Sequence, residues 1–532
     1  MTKEELMRAT TIVLVGASLL LGALPEDARA IPPEVLLEEL QHRGFDYFWN
    51  EANPANGLIK DRSTPGSPAS IASTGFGLSA ICIAIDRGWV SRQAGGERIR
   101  TTLRTFWNGP QGSGASGTIG YKGLFYHFLD MNTAVRTWDC ELSTIDTALL
   151  FAGILDARQY FTLDDPLDNE IRSLADALYQ RADWNWARDG QSGIRMGWKP
   201  VTGFSGFGLW RGYNEAMILY VLALGSPTFP IPDVGWDYWT SGYQWSTQYG
   251  YSYVIFPPLF GHQYSHCWID FRFIQDDYML SRDITYFENS RRATLAARAY
   301  CIANPFGHIG YGENNWGLTA SDDPDGYLAH GAPPPQNDNG TITPTAAASS
   351  IPFAPEVVIP ALQHMYDTYG TQLWGVYGFK DAFNLNRGWF ATDFLGIDQG
   401  PIVIMIQNYL DGSIWNRFMM NPDIQVGLQR AGFQQTSDVG PVAGVPLSLD
   451  LHAEPNPFAD ETTLSYRIPE SGTVLLRVIG ANGRIVRELL NETQEAGEHR
   501  ISLDAVGLET GVYYLDLQAN GTRASRRCVL VR

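Results

Sequence analysis

At 532 residues the chain is longer than one typical domain, and 44% apolar content is enough for a sizeable core. A formal charge of −19, from 57 acidic and 38 basic residues, argues against nucleic acid and anionic membrane surfaces, which recruit basic patches. The 16 Trp, 25 Tyr and 25 Phe exceed what packing usually needs, so they form either an aromatic-rich core or surfaces on which sugar rings stack.

Residues 1–30 read as a signal peptide. The apolar stretch from Thr11 to Leu24 is too short to span a bilayer. Ala28-Arg29-Ala30 is a small-x-small cleavage pattern that leaves Ile31 as the mature start. Lys3 and Arg8 are offset by Glu4 and Glu5, so the leader is not clearly positive. No later stretch is apolar enough to cross a membrane, which predicts an exported protein, secreted or attached at the cell surface (extracellular or periplasmic).

From Ile31 to Phe433 the apolar spacing is helical. Leu36 to Trp49, Arg98 to Trp107 and Ile171 to Ala182 are amphipathic, whereas Gly75 to Ile85, Leu142 to Leu155 and Glu215 to Leu224 are apolar on most faces. Further candidates run from Ile284 to Ala303, Pro355 to Tyr369, Pro401 to Leu410 and Ile424 to Ala431. Alternating one-faced and fully apolar helices predict two layers, an all-α toroid of six helical hairpins, or α/α barrel. The long loops Trp184 to Trp210 and Gly307 to Pro352 are expected to wall a cleft at one end.

After Phe433 the pattern changes. Residues 434–449 have linker composition. Val474, Leu476 and Val478 then alternate with polar neighbours ahead of Asn482-Gly483, and a similar run precedes Asn520-Gly521. Residues 450–532 are therefore expected to be a small antiparallel β-sandwich. Pro455-Asn456-Pro457-Phe458 and Gly511-Val512-Tyr513-Tyr514 resemble the immunoglobulin-like C-terminal modules of exported bacterial enzymes, some of which are sorting signals. That resemblance implies export machinery as a partner.

Two carboxylates stand beside apolar helices. Glu215 follows Trp210-Arg211-Gly212-Tyr213-Asn214, with Asn214 as a cap, and precedes a run of apolar residues. Asp398 precedes Gln399-Gly400 and a helix opened by Pro401. Cleavage of a glycosidic bond needs such a pair, one acid and one base or nucleophile. The bland alternatives are a helix-dipole carboxylate for Glu215, contributing about 0.3–1 kcal/mol, and a simple N-cap for Asp398. A helix amino terminus lowers a carboxyl pKa, so an acid role for Glu215 requires burial to outweigh the dipole.

A third group, Asp139-Cys140-Glu141 with Asp146, has more carboxylates than capping needs. Glu141 and Asp146 are read as ligands of sugar hydroxyls, with one capping while the other faces the cleft. Trp316 and His330, in the loop from Asn314 to Gly331, suit sugar binding; ordinary turn chemistry is the alternative. The five cysteines are scattered without metal spacing and are assigned to packing. His262, His266 and Asp270 are too unspecific to name a metal site. With no phosphate loop or serine elbow, neither metal nor cofactor is expected.

Together, Glu141 to Leu150, Gly212 to Met217, Asn315 to Asp322, Gly340 to Ser350, Val376 to Asn384 and Leu395 to Pro401 resemble the bacterial glucoamylase-like domain family, which includes secreted β-1,2-glucanases. The resemblance spans Leu40 to Phe433. It implies an α/α toroid that hydrolyses β-glucan with inversion, with Glu215 as general acid and Asp398 as base. Supporting contacts are expected from Glu141, Asp146, Trp210, Arg211, Trp316, His330 and Trp389. The chain departs from some glucanases at Ser143 and Asp146, where those carry Asp and Glu. Two other functions share the scaffold: a transglycosylase acting on β-glucan, and a non-catalytic glycan-binding surface protein.

Overall fold

The computed structural model describes residues 31–436 and 450–531, apart from 469–470, 481–484, 509 and 520–521. The expected signal peptide, most of the expected linker and both Asn-Gly turns lie outside the described residues.

The inner layer is built from helices buried on nearly every face: Ile71–Arg87, Thr144–Tyr160, Met217–Gly225 and Gly396–Leu410. Ile71–Arg87 packs against both Thr144–Tyr160 and Gly396–Leu410, so the last inner helix returns to the first and closes a ring. Between Met217–Gly225 and Gly396–Leu410 the inner wall is carried by short pieces. These are the 3-10 turns Leu259–His262 and Ser265–Cys267 and the five-residue helix Pro344–Ala348, the last of which falls inside an expected loop. One-faced helices form the outer layer, including Pro33–Asn50, Arg92–Asn108, Pro166–Gln180, Pro355–Leu373 and Pro422–Arg430. The architecture is a helical toroid.

Two helix crossings depend on glycine. A Cβ on Gly153 would lie 1.9 Å from the Gly75 carbonyl oxygen, and one on Gly75 would lie 2.3 Å from that of Leu149. The Gly225 and Gly427 pair joins Met217–Gly225 to Pro422–Arg430 in the same way. Close backbone approach, not flexibility, explains glycine inside these helices. The Arg417 guanidinium reaches into the core to make two bonds to Asp156, at 2.7 and 2.9 Å.

Helix starts fall where local chemistry puts them. Ser70 and Ser143 each accept a bond from the backbone N–H three residues on, capping Ile71–Arg87 and Thr144–Tyr160. Both caps sit in two-residue strands, Ala69–Ser70 paired with Phe128–Leu129 and Leu142–Ser143 with Gly197–Trp198. Those pairings anchor the long loops to the helix amino termini. Gln434 and Gln435, expected in the linker, instead pair with Gln275 and Ile274.

The C-terminal residues form a three-stranded and a four-stranded antiparallel sheet. Val474, Leu476 and Val478 are all buried with Leu464, Leu515 and Leu517, as their alternation predicts. The five cysteines are free and buried. Among the described residues no helix is long and apolar enough to cross a membrane.

Candidate active site

A cleft of about 670 Å³ opens at the amino-terminal ends of the inner helices, a volume usual for small-ligand sites. Each inner helix contributes residues from its start: Ser70, Ser143 with Asp146, Glu215, and Leu395 with Ile397. Helix amino termini carry partial positive charge, which favours carboxylates there.

Glu215 lies two residues before Met217–Gly225, in a turn and not in the helix as the sequence suggested. Asn214 accepts a bond from the Ala216 N–H at 2.9 Å, and Ser265 Oγ donates to the Glu215 carbonyl at 3.1 Å. The turn is thus fixed from both sides. Burial pushes the Glu215 carboxyl up to about 7, helped by the Asp146 charge and opposed only by its own backbone N–H. Desolvation outweighs the backbone bond here, and a raised carboxyl is what an acid role requires. Trp210, which shares the cleft, is oriented by its indole N–H on Thr144 Oγ1 at 3.0 Å.

Glu141 and Asp146 both line the cleft, and His127 joins them. Its Nδ1 is 2.9 Å from Glu141 Oε1, and its Nε2 is 3.5 Å from Asp146 Oδ1. Burial alone would discharge the ring, but Asp146, Glu141 and Asp61 overcome it and hold His127 at about 9. Burial likewise pushes Glu141 up, and the His127 bond and charge more than reverse this. At neutral pH the group is therefore an imidazolium paired with the ionised Glu141 carboxylate and lying 3.5 Å from Asp146. Ser143, not either carboxylate, is the cap, and its hydroxyl also bonds Asp146.

Asp398 sits in the first turn of Gly396–Leu410, which starts five residues earlier than Pro401. Pro401 is inside the helix and has no N–H to offer the Ile397 carbonyl. Tyr264 supplies the missing donor at 3.2 Å. The Asp398 carboxyl is 3% exposed and is not part of the cleft lining, although its neighbours Leu395 and Ile397 are. It faces buried Asp381, whose Oδ2 accepts the Asp322 N–H at 2.7 Å. Arg62 bonds both oxygens of Asp322 at 3.1–3.2 Å. The hydroxyl of Tyr264 senses the charges of both Asp398 and Glu215, and burial with those charges pushes its pKa well up.

Four expected contacts are elsewhere. Trp316 is fully buried in the core, and His330 is buried with Nδ1 on the Asn337 carbonyl at 2.6 Å and Nε2 3.3 Å from Asp323. Both hold the long loop in shape; their composition suited sugar binding, but packing took them. Arg211 points outward, bonding Ser241 Oγ at 3.2 Å beside the Tyr238 ring. Trp389 lies in the short strand Trp389–Phe390 opposite Asn384, outside the cleft lining. Asp61, Arg62, His127, Trp138, Tyr264 and Tyr327 line the cleft without having been singled out. Asp381 stood inside one of the family motifs, the only signal that pointed to it.

Residues 209–422 match a family model described as "Putative glucoamylase", and residues 454–531 match one described as "Secretion system C-terminal sorting domain". A protein of Parabacteroides distasonis named exo beta-1,2-glucooligosaccharide sophorohydrolase (non-reducing end) is 33% identical over 431 residues, covering 75% of this chain. The chain spans 58% of that relative's length. A structure from Bacteroides uniformis, titled a "putative glucoamylase", is 40% identical, with TM-score 0.71 and 76% and 98% of the two chains covered. The endo-beta-1,2-glucanase from Chitinophaga pinensis, solved with sophorotriose and glucose, is 31% identical, with TM-score 0.71 and 76% and 99% covered.

Proposed function

The chain belongs to the glucoamylase-like family, and on that footing we propose that it is an exported glycoside hydrolase that cleaves β-1,2-glucan with inversion. Relatives named for β-1,2-glucan and its oligosaccharides support the substrate. Glu215 carries the reading: it lines the cleft and keeps its proton to about pH 7. It protonates the glycosidic oxygen as the bond to the anomeric carbon breaks. Water attacks that carbon from the opposite face, and a carboxylate takes the water's proton. Asp398 is the base on the strength of the family resemblance, and because its carboxyl is buried off the cleft lining it takes the water's proton through a relaying water or hydroxyl. His127 with Glu141 and Asp146 holds sugar hydroxyls. The C-terminal sandwich is an immunoglobulin-like sorting module, consistent with its family match.

A second reading makes Asp146 the base, favoured because it opens onto the cleft and has a cation 3.5 Å away. Reducing-sugar release from β-1,2-glucan, with anomeric analysis of the products, tests the activity; no release would leave only a glycan-binding protein. Asp398→Asn and Asp146→Asn separate the two bases. Loss of turnover that added azide restores, as a glycosyl azide, marks the true one.

A further inference from the structure

We propose that Trp138 is a stacking platform at the open side of the cleft, holding a glucosyl unit away from the bond that is cut. This rests on reading the cleft as a β-glucan site.

Trp138 lines the cleft yet is 66% exposed. Packing does not ask for an indole left in water. Its backbone is left-handed, with φ +58°, and so is that of Asp139, at +53°. Bulky residues adopt that conformation only where surrounding contacts enforce it. Here Arg136 enforces it: Nε donates to the Cys140 carbonyl at 2.7 Å, Nη1 to that of Ala115 at 3.0 Å, and Nη2 lies 2.6 Å from Asp139. The loop spends backbone strain to present an aromatic face.

That face is continuous with the charged floor. Phe128 packs against Trp138 with centroids 5.3 Å apart, and stacks on His127 at 3.9 Å. Met196 and Phe207 line the same cleft. A pyranose ring has an apolar C–H face and polar hydroxyl edges. An exposed indole beside the Glu141 carboxylate matches both: the ring face lies on Trp138 while the next unit's hydroxyls reach Glu141.

The test compares the full chain with its W138A, W138F and W138G variants on the shortest cleaved oligosaccharide and on long-chain β-1,2-glucan. KM for the long chain should rise about tenfold in W138A, with kcat nearly unchanged and the short substrate little affected. W138F should recover most of the loss. W138G, which relieves the left-handed strain, should melt no lower than wild type. Wild-type KM for W138A on both substrates, while the wild type is active, would overturn the platform alone. Equal loss on both lengths with a lowered melting temperature would also overturn it, as a structural role. Wild-type protein that neither cleaves nor binds β-1,2-glucan would overturn the platform together with the activity it serves.

Discussion

Asp381 and Asp398 bury their carboxyl groups against each other, leaving Asp381 Oδ1 and Asp398 Oδ2 with no other partner. Two carboxylates cannot both accept without a proton between them, so the pair holds one. Burial, and then the Asp381 charge, raise Asp398 well above the usual carboxylate range. A base must be ionised, so turnover should fall as pH drops through the titration of this pair. Asp381→Asn removes the like charge and can donate to Asp398, while its amide oxygen still accepts the Asp322 N–H. The acid limb of kcat/KM should move to lower pH by about one unit, the size of a single near-charge effect. An unmoved limb in a folded variant would transfer the base role away from Asp398.

Glu215 governs the other limb. With its carboxyl at about 7, activity should fall roughly tenfold per pH unit above that value as the acid loses its proton. Glu215→Gln should keep the fold and lose at least about 10²-fold in rate. The same group affects stability. Its folded value is raised from 4.5, so its favourable contribution is complete below 4.5 and is lost as pH rises through 7. The Gln variant should therefore melt about 2 °C or more above wild type at pH 8, and close to it at pH 4.5, by calorimetry.

Much of the toroid was legible because fully apolar helices and one-faced helices have distinct sequence patterns. Met217–Gly225 and Pro166–Gln180 show the contrast directly. The short inner pieces 259–267 and 344–348 carry no such period, so the first was given no element and the second fell inside an expected loop. Glu215, Glu141 and Asp146 stood out because carboxylates next to apolar runs need a reason, and these three and Trp210 line the cleft. His127 and Trp138 come from a loop with no period, and only folding brings them to the cleft. Trp316 and His330 misled because a buried loop uses the same residue types as a sugar site.

The Arg417 and Asp156 pair tests the core apart from the chemistry. Both groups are buried, and Asp156 Oδ1 and Oδ2 each accept from the guanidinium. Asp156→Asn leaves the cation without its counter-charge and should cost about 3–5 kcal/mol in denaturant unfolding. Replacing both partners with apolar residues of similar volume should recover most of that loss. A single variant as stable as wild type would show that the pair is not desolvated.

His127 tests how the cleft sets the acid. Its imidazolium lies against Glu141 and Asp146, and the Asp146 charge in turn raises Glu215. His127→Gln removes the cation and keeps a side chain able to donate to Glu141. The site becomes more negative, so Glu215 should hold its proton to higher pH and the alkaline limb should move above 7. A purely structural role would lower the rate without moving that limb. Stability gives an independent sign. The folded value of His127 is raised from 6.5 to about 9, so its contribution is complete below 6.5 and lost through 9. The melting deficit of the variant should be largest at pH 6 and should shrink toward pH 9.5; a deficit that does not change with pH would mean that His127 carries no charge in the cleft.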